Sequence, residues 1–205
     1  MTAVFRALTL LCLFFGLLTS CASLRREFVD PSFKTQGLKN SVVTLKCTAP
    51  PGMPFGLAPQ DEREILDDAR LGILARYKNV QIVPETRGEG GGVKPTYSFV
   101  VYVVSDETEQ KVKRYRGARA VGAGRSVYLN VTRARIRRTA NARYTVIHVP
   151  TEKIVWQASG KNSRSERHRL NLVGFYGRLE LRPNLGPPLP NILTPLTEKA
   201  CRKLP

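Results

Sequence analysis

The 205-residue sequence offers few residues with catalytic chemistry: two histidines, four cysteines and one group of clustered acids. His148 and His168 show no metal-ligand spacing, so neither a metal nor a cofactor is expected. No G-x-S-x-G elbow occurs, and the residues for a Ser/His/Asp or Cys/His triad are scarce. Asp61, Glu62, Glu64, Asp67 and Asp68 fall on one helical stretch, which suits a solvated face better than two carboxylates opposed across a bond. Gly88, Gly90, Gly91 and Gly92 precede Lys94 and Thr96, but Val93 and Pro95 flank the lysine and a strand follows. A phosphate loop needs a Gly-Lys-Ser/Thr run opening a helix, so this segment reads as a hairpin loop. Catalysis is therefore not expected.

Arginine is what the sequence has in excess. There are 33 Lys+Arg against 16 Asp+Glu, a net charge of +17. The surplus is local: residues 111–182 hold 18 Lys+Arg and only Glu152, Glu166 and Glu180, whereas residues 21–110 hold 11 basic and 12 acidic residues. Guanidinium forks bind phosphate and carboxylate with two parallel hydrogen bonds. Arg133, Arg135, Arg137 and Arg138 form the densest group and are read as an anion or partner contact projecting from a strand end. The bland alternative is a solvated basic surface.

The compartment decides which anion is relevant. Met1–Arg6 is short and basic, and Ala7–Leu18 is twelve residues without charge. As a helix that run spans roughly 18 Å, too short for a bilayer core of about 30 Å. Residues 1–20 read as a secretory signal peptide. Leu18-Thr19-Ser20-Cys21 resembles the bacterial lipobox, an aliphatic residue, two small ones and then Cys. The resemblance implies that the Cys21 thiol carries diacylglycerol and that the chain is cut just before it. Cleavage after Ala22 is the competing reading. Ala22 after the cysteine, with no Asp, implies by the same resemblance the outer membrane and a domain facing the periplasm. Outside the cytoplasm the arginines would meet an anionic envelope polymer, lipid or acidic protein, and nucleic acid is not expected.

Export leaves Cys47 and Cys201 as an even pair in an oxidising compartment, and a disulfide between them is expected, with two buried free thiols as the alternative.

Residues 21–40 lack periodicity and read as the lipidated Cys and a flexible tether, leaving 41–205 as a single periplasmic domain. Ser41–Cys47 is a strand. Gln60–Tyr77 is a helix whose Ile65, Ala69 and Ile73 recur every four residues. Val80–Val83 is a short strand, and Tyr97–Val104, apolar on both faces, is a central one. Ser126–Arg138 is a strand that carries Val127, Leu129 and Val131 on the same side as Arg133, Arg135 and Arg137. A bulge or a protruding end is needed to reconcile them. Thr139-Ala140-Asn141 looks like a turn, Arg143–Val149 and Lys153–Ser159 a hairpin, and Thr194-Pro195 the start of a last helix. The expected class is α+β: β-α-β, then an antiparallel meander, then a C-terminal helix.

The hairpin carries a second resemblance. His148-Val149-Pro150-Thr151-Glu152-Lys153-Ile154-Val155-Trp156 resembles a strand-turn-strand hallmark, D-V-x-T-G-x-I-V-W, of the bacterial lipoprotein group that includes CsgG, LpoB and the N-terminal domain of TolB. His148 stands for the usual Asp and Glu152 for the usual Gly. The resemblance implies the same α+β class and an envelope role. It yields two expectations: a non-enzymatic, lipid-anchored scaffold or regulator of an envelope machine, and, alternatively, a subunit of an oligomeric outer-membrane secretion or motor-associated ring. A pore would require long alternating apolar hairpins, and the strands read here are Arg-rich. The oligomeric state is left open.

Overall fold

A computed structural model describes residues 23–50, 57–84, 93–122, 125–172 and 186–205, with backbone only at 114–133 and 168–172. The elements are β1 (Ser23–Val29), α1 (Pro31–Gln36), β2 (Val42–Thr48), α2 (Pro59–Arg76), β3 (Gln81–Val83), β4 (Tyr97–Gly122), β5 (Arg125–His148), β6 (Lys153–Leu172) and α3 (Leu189–Lys203). One mixed sheet has the order β1-β6-β5-β4-β2-β3. β2 runs parallel to β3 and β4, and the remaining pairs are antiparallel. This is the expected α+β fold.

The core lies between the helices and one face of the sheet. Ile65, Ala69 and Ile73 of α2 are buried at the spacing the sequence predicts. α3 buries Ile192, Leu193, Leu196, Thr197 and Ala200. Facing them are Phe99, Val101 and Val103 of β4, Ala142, Tyr144 and Val146 of β5, and Trp156 and Ala158 of β6. The alternation along each strand sets which side chains enter the core and which face solvent. Polar links tie α3 to the sheet, among them Tyr144 Oη, 3.2 Å from Thr197 Oγ1, and Asn162 Nδ2, which donates to the Ile192 carbonyl at 2.7 Å.

α3 begins earlier than Thr194-Pro195 suggests. Pro190 sits in its first turn and Pro195 lies inside it. The missing N–H of Pro195 leaves the carbonyl of Asn191 without its helical donor, and Asn191 is exposed, so water can serve it. Thr194 bonds across to α2 instead, donating to Asp68 Oδ2 at 2.5 Å.

The segment expected to be a tether is folded from Ser23 onward. β1 pairs with the outer edge of β6, and α1 buries Phe33 beside Leu38. Asp30 caps α1 by accepting from Ser32 N at 2.8 Å, and its own N–H bonds the Val155 carbonyl at 2.8 Å. The Phe33 ring meets Tyr97 edge-on, with centroids 5.4 Å apart. A six-residue helix holds too few turns to show periodicity, and β1 alternates irregularly because its register shifts between Arg26 and Phe28. The folded domain thus begins near residue 23 rather than 41.

The expected Cys47–Cys201 disulfide is also corrected: both residues are buried free thiols. Cys201 lies in the α2–α3 seam, its Sγ 3.8 Å from the Ala69 carbonyl, where a Cβ on Gly72 would come within 2.8 Å of that sulfur. Burial pushes each thiol up to about 12, with Glu62 adding to the effect at Cys47 and Glu198 at Cys201.

The largest departure concerns strand length. β4, β5 and β6 have 26, 24 and 20 residues, and 26 residues of strand span about 85 Å. The supposed turn at Thr139-Ala140-Asn141 is continuous strand, with Ala140 fully buried and Asn141 Nδ2 donating to Ser105 Oγ at 2.5 Å. Among the described residues β2 accompanies β4 to Tyr102, and β1 accompanies β6 to Lys161. Beyond those points β4, β5 and β6 continue as a three-stranded arm.

Candidate anion-contact surface

The arm inherits the two faces of the sheet. In β5 the sequence Ala134-Arg135-Ile136-Arg137 alternates small or apolar with basic, and Ala134 and Ile136 are buried while Arg135 and Arg137 are exposed. The register through Val131 and Arg133 has no bulge in either ladder of β5. The one irregularity of this stretch lies on β4, between Arg116 and Ala118, opposite Asn130 and Leu129, and the side chains of Val127, Leu129 and Val131 lie outside the described residues.

Cross-strand pairing brings further cations to the same rows. Lys111 on β4, Arg135 on β5 and Arg167 on β6 are direct register partners, and all three are exposed. The next row pairs Lys113, Arg133 and Arg169, the side chains of Arg133 and Arg169 lying outside the described residues. Toward the core the next row is Glu109, Arg137 and Ser165. Glu109 pairs with Lys111 at 3.0 Å. Arg135 Nη2 donates to Ser165 Oγ at 3.3 Å and Arg137 Nη2 to Ser163 Oγ at 3.0 Å. Both guanidinium groups thus lean diagonally onto β6, each retaining N–H donors beyond that one bond. Glu109, Lys111, Arg135 and Arg137 enclose a small recess of about 70 Å³.

Like charges placed directly opposite on a sheet destabilise it. One carboxylate, Glu109, does not neutralise the three cations of the Lys111 row. An anion with several oxygens would, so the arrangement can bind phosphate or carboxylate groups and discharge its own repulsion in doing so.

Arg138 does not belong to this cluster. It points to the helix side, where its Nε and Nη2 grip both carboxylate oxygens of Asp106 at 2.8 and 2.5 Å and its Nη1 donates to the Pro187 carbonyl at 3.1 Å. The pair is largely buried, with side-chain exposures of 18% and 7%. The hydrogen bond to Asp106 raises the Arg138 pKa further. Arg138 is a structural brace, and grouping it with Arg135 and Arg137 is corrected by strand parity.

Nearer the core, the same open face forms a cleft of about 460 Å³ whose lining includes Arg25, Glu27, Asn141, Arg143, Ser159 and Lys161. Glu27 accepts from Ser159 and from Gln157. These bonds, then Arg143 and Arg25, hold its carboxyl below the usual range.

His148 serves the β5–β6 turn: its Nδ1 lies 2.8 Å from Thr151 Oγ1 and its ring packs 5.3 Å from that of Tyr97. Trp156 is fully buried in the core. Cys21 and the glycine-rich loop at 88–92 lie outside the described residues. Lys111 and Arg167 were not singled out by sequence. The charge surplus of 111–182 was the available signal, but only the ladder shows which cations share a row.

No family model matches the chain, and no curated protein matches it in sequence. Among solved structures, the chain is similar to the PelC dodecamer from Paraburkholderia phytofirmans, with TM-score 0.37 and 15% identity over 87% of this chain and 93% of that one. It is also similar to a minor lipoprotein from Acinetobacter baumannii, with TM-score 0.29 and 10% identity over 78% and 90%. A third is the rare lipoprotein B from Shewanella oneidensis, with TM-score 0.23 and 11% identity over 78% and 89%. Likeness at this level is one of chain path and assigns no function.

Proposed function

We propose that the chain is a non-enzymatic protein of the bacterial envelope, lipid-anchored at Cys21 in the outer membrane and facing the periplasm, that scaffolds or regulates an envelope machine through the basic face of its arm. The carrying observation is the exposed row Lys111–Arg135–Arg167, three cations in direct register against one nearby carboxylate. The partner chemistry is anionic: an envelope polymer, lipid phosphates or an acidic protein surface. The lipobox resemblance and the leader support the compartment. The test replaces Lys111, Arg135, Arg137 and Arg167 with Ser and measures binding to purified sacculi and to anionic vesicles over a salt series. Binding that weakens with salt in the parent and is lost in the variant is expected. Binding unchanged by the substitutions or by salt would sink the reading.

A second reading, a subunit of an oligomeric outer-membrane ring, draws on the arm's edges. β4 past Tyr102 and β6 past Lys161 have no ladder partner on their outer sides among the described residues, and open edges favour pairing between chains. Native mass measurement in detergent separates the two readings, since a monomer alone removes the ring.

A further inference from the structure

We propose that the arm's basic face, together with a collar of cations around the start of β1, docks on the anionic lipid headgroups of the same membrane that holds the chain. The inference rests on the anchoring of Cys21 given above, and it names which anion the basic face meets.

Ser23 is already in the sheet, in register with Lys161. Cys21 is two residues upstream, so an acylated cysteine lies at most about 7 Å from that point. Residues 23–40, expected to be part of a tether, are folded and supply no slack. β1 is antiparallel to β6, so the chain read backward from Val29 to Ser23 travels the way β6 travels from Trp156 to Lys161 and then on into the arm. Ser23, the end of β1 next to Cys21, is therefore its arm-ward end. The Lys111–Arg135–Arg167 row is six β6 residues beyond Lys161, about 20 Å further in that direction. So short a leash keeps that row within about 30 Å of the anchor.

The surface around the leash has matching chemistry. Lys203 Nζ donates to the Leu24 carbonyl at 2.6 Å, which brings the last turn of α3 to the start of β1. Ser23 and Leu24 share a cleft of about 490 Å³ with Lys199, Arg202 and Lys203. Arg25 and Lys161 stand exposed on the adjoining strands. Lipid phosphates supply the counter-charge that the like-charged row lacks, and each cation near an anionic surface adds to retention. The Arg-rich side is suited to headgroups, since burying it in hydrocarbon would be costly.

The experiment uses the full, acylated chain carrying Ser165→Cys, labelled with an environment-sensitive fluorophore. Cys47 and Cys201 are buried and will not compete for label. The protein is reconstituted into vesicles of phosphatidylcholine alone and of phosphatidylcholine mixed with phosphatidylglycerol, each with a headgroup-linked or an acyl-chain-linked quencher. Several-fold stronger headgroup quenching is expected in the anionic vesicles, reversed near 1 M salt, where the Debye length is about 3 Å. It should be lost when Lys111, Arg135 and Arg167 are replaced by Ser. Equal quenching in both lipids, salt-insensitive quenching from the acyl chains, or no effect of the triple substitution would each overturn the proposal. So would a salt-sensitive contact made only with added sacculi. The mass of the Cys21 peptide is read on the same sample. A peptide without acyl groups refutes the anchor itself, and with it this inference. An acylated peptide with no lipid dependence refutes headgroup docking alone.

Discussion

Lys111 and Arg135 stand directly opposite each other on β4 and β5, both exposed, and Arg167 completes the row from β6. Three cations held abreast by backbone pairing are a cost to the folded arm, and the cost is relieved by whatever anion the row contacts. Function and stability should therefore oppose each other here. Arg135→Glu converts two like-charge contacts into two opposite-charge contacts, each worth about 0.2–1 kcal/mol. We expect it to stabilise the protein by roughly 1 kcal/mol in urea unfolding, while weakening binding to anionic vesicles. The single tryptophan, Trp156, is buried and reports the transition. A variant that loses stability would show that the row is not under charge strain.

Asp106 and Arg138 behave in the opposite sense. Their two-pronged pair is mostly buried, so removing one partner leaves a charge stranded. Asp106→Ala should cost about 3 kcal/mol, and the paired change Asp106→Leu with Arg138→Met should recover much of that. Urea midpoints of the two variants against the parent decide it. If the double variant is no better than the single one, the pair does more than satisfy itself.

Glu152 occupies the left-handed region at φ 55°, ψ 17°, at the turn between β5 and β6. This is the position where the resembled hallmark carries Gly. The left-handed conformation costs a side-chain-bearing residue about 1–2 kcal/mol, partly offset by the entropy that glycine gives up on folding. Glu152→Gly should stabilise the protein by up to about 1 kcal/mol, seen as a higher thermal midpoint.

The thiols and one phenol give a pH dependence. Burial raises Cys47 and Cys201 to about 12 from an unfolded value of 9.0, and raises Tyr144 as well. The folded state then keeps protons that the unfolded state releases. Stability from these groups is fully present below pH 9 and is lost as the pH rises toward 12. Urea titrations between those limits should show a falling midpoint, with a shallower fall in Cys201→Ala. Thiol reagents at neutral pH should modify neither cysteine until denaturant is added, and prompt modification of the native protein would contradict their burial.

Parts of this molecule were legible in the sequence because they follow a period. The i, i+4 spacing of Ile65, Ala69 and Ile73 placed α2, and the apolar run from Tyr97 placed the central strand. The hairpin around Pro150-Thr151-Glu152 was marked by its turn residues. What failed did so for physical reasons. Thr139-Ala140-Asn141 has turn composition, yet Ala140 is small enough to sit buried within the sheet while Asn141 bonds a neighbouring strand. β1 and α1 owe their order to partners far along the chain, Lys161 and Tyr97, which no local pattern announces. The four arginines were found as a group, but a strand sends odd and even residues to opposite faces. Arg138 thus became a brace, whereas Arg135 and Arg137 stayed at the surface.

β1 also sets an order of events. It is the first described strand in the chain, yet it closes the sheet's outer edge, and its partners run from Trp156 to Lys161. The Lys203–Leu24 bond joins residues 179 positions apart. A chain emerging from a translocation channel N-terminus first would present β1 with nothing to pair with until nearly all of the sequence had followed. In that order of emergence the opening segment would wait unpaired for β6, and the last helix to arrive would be the one that fastens it.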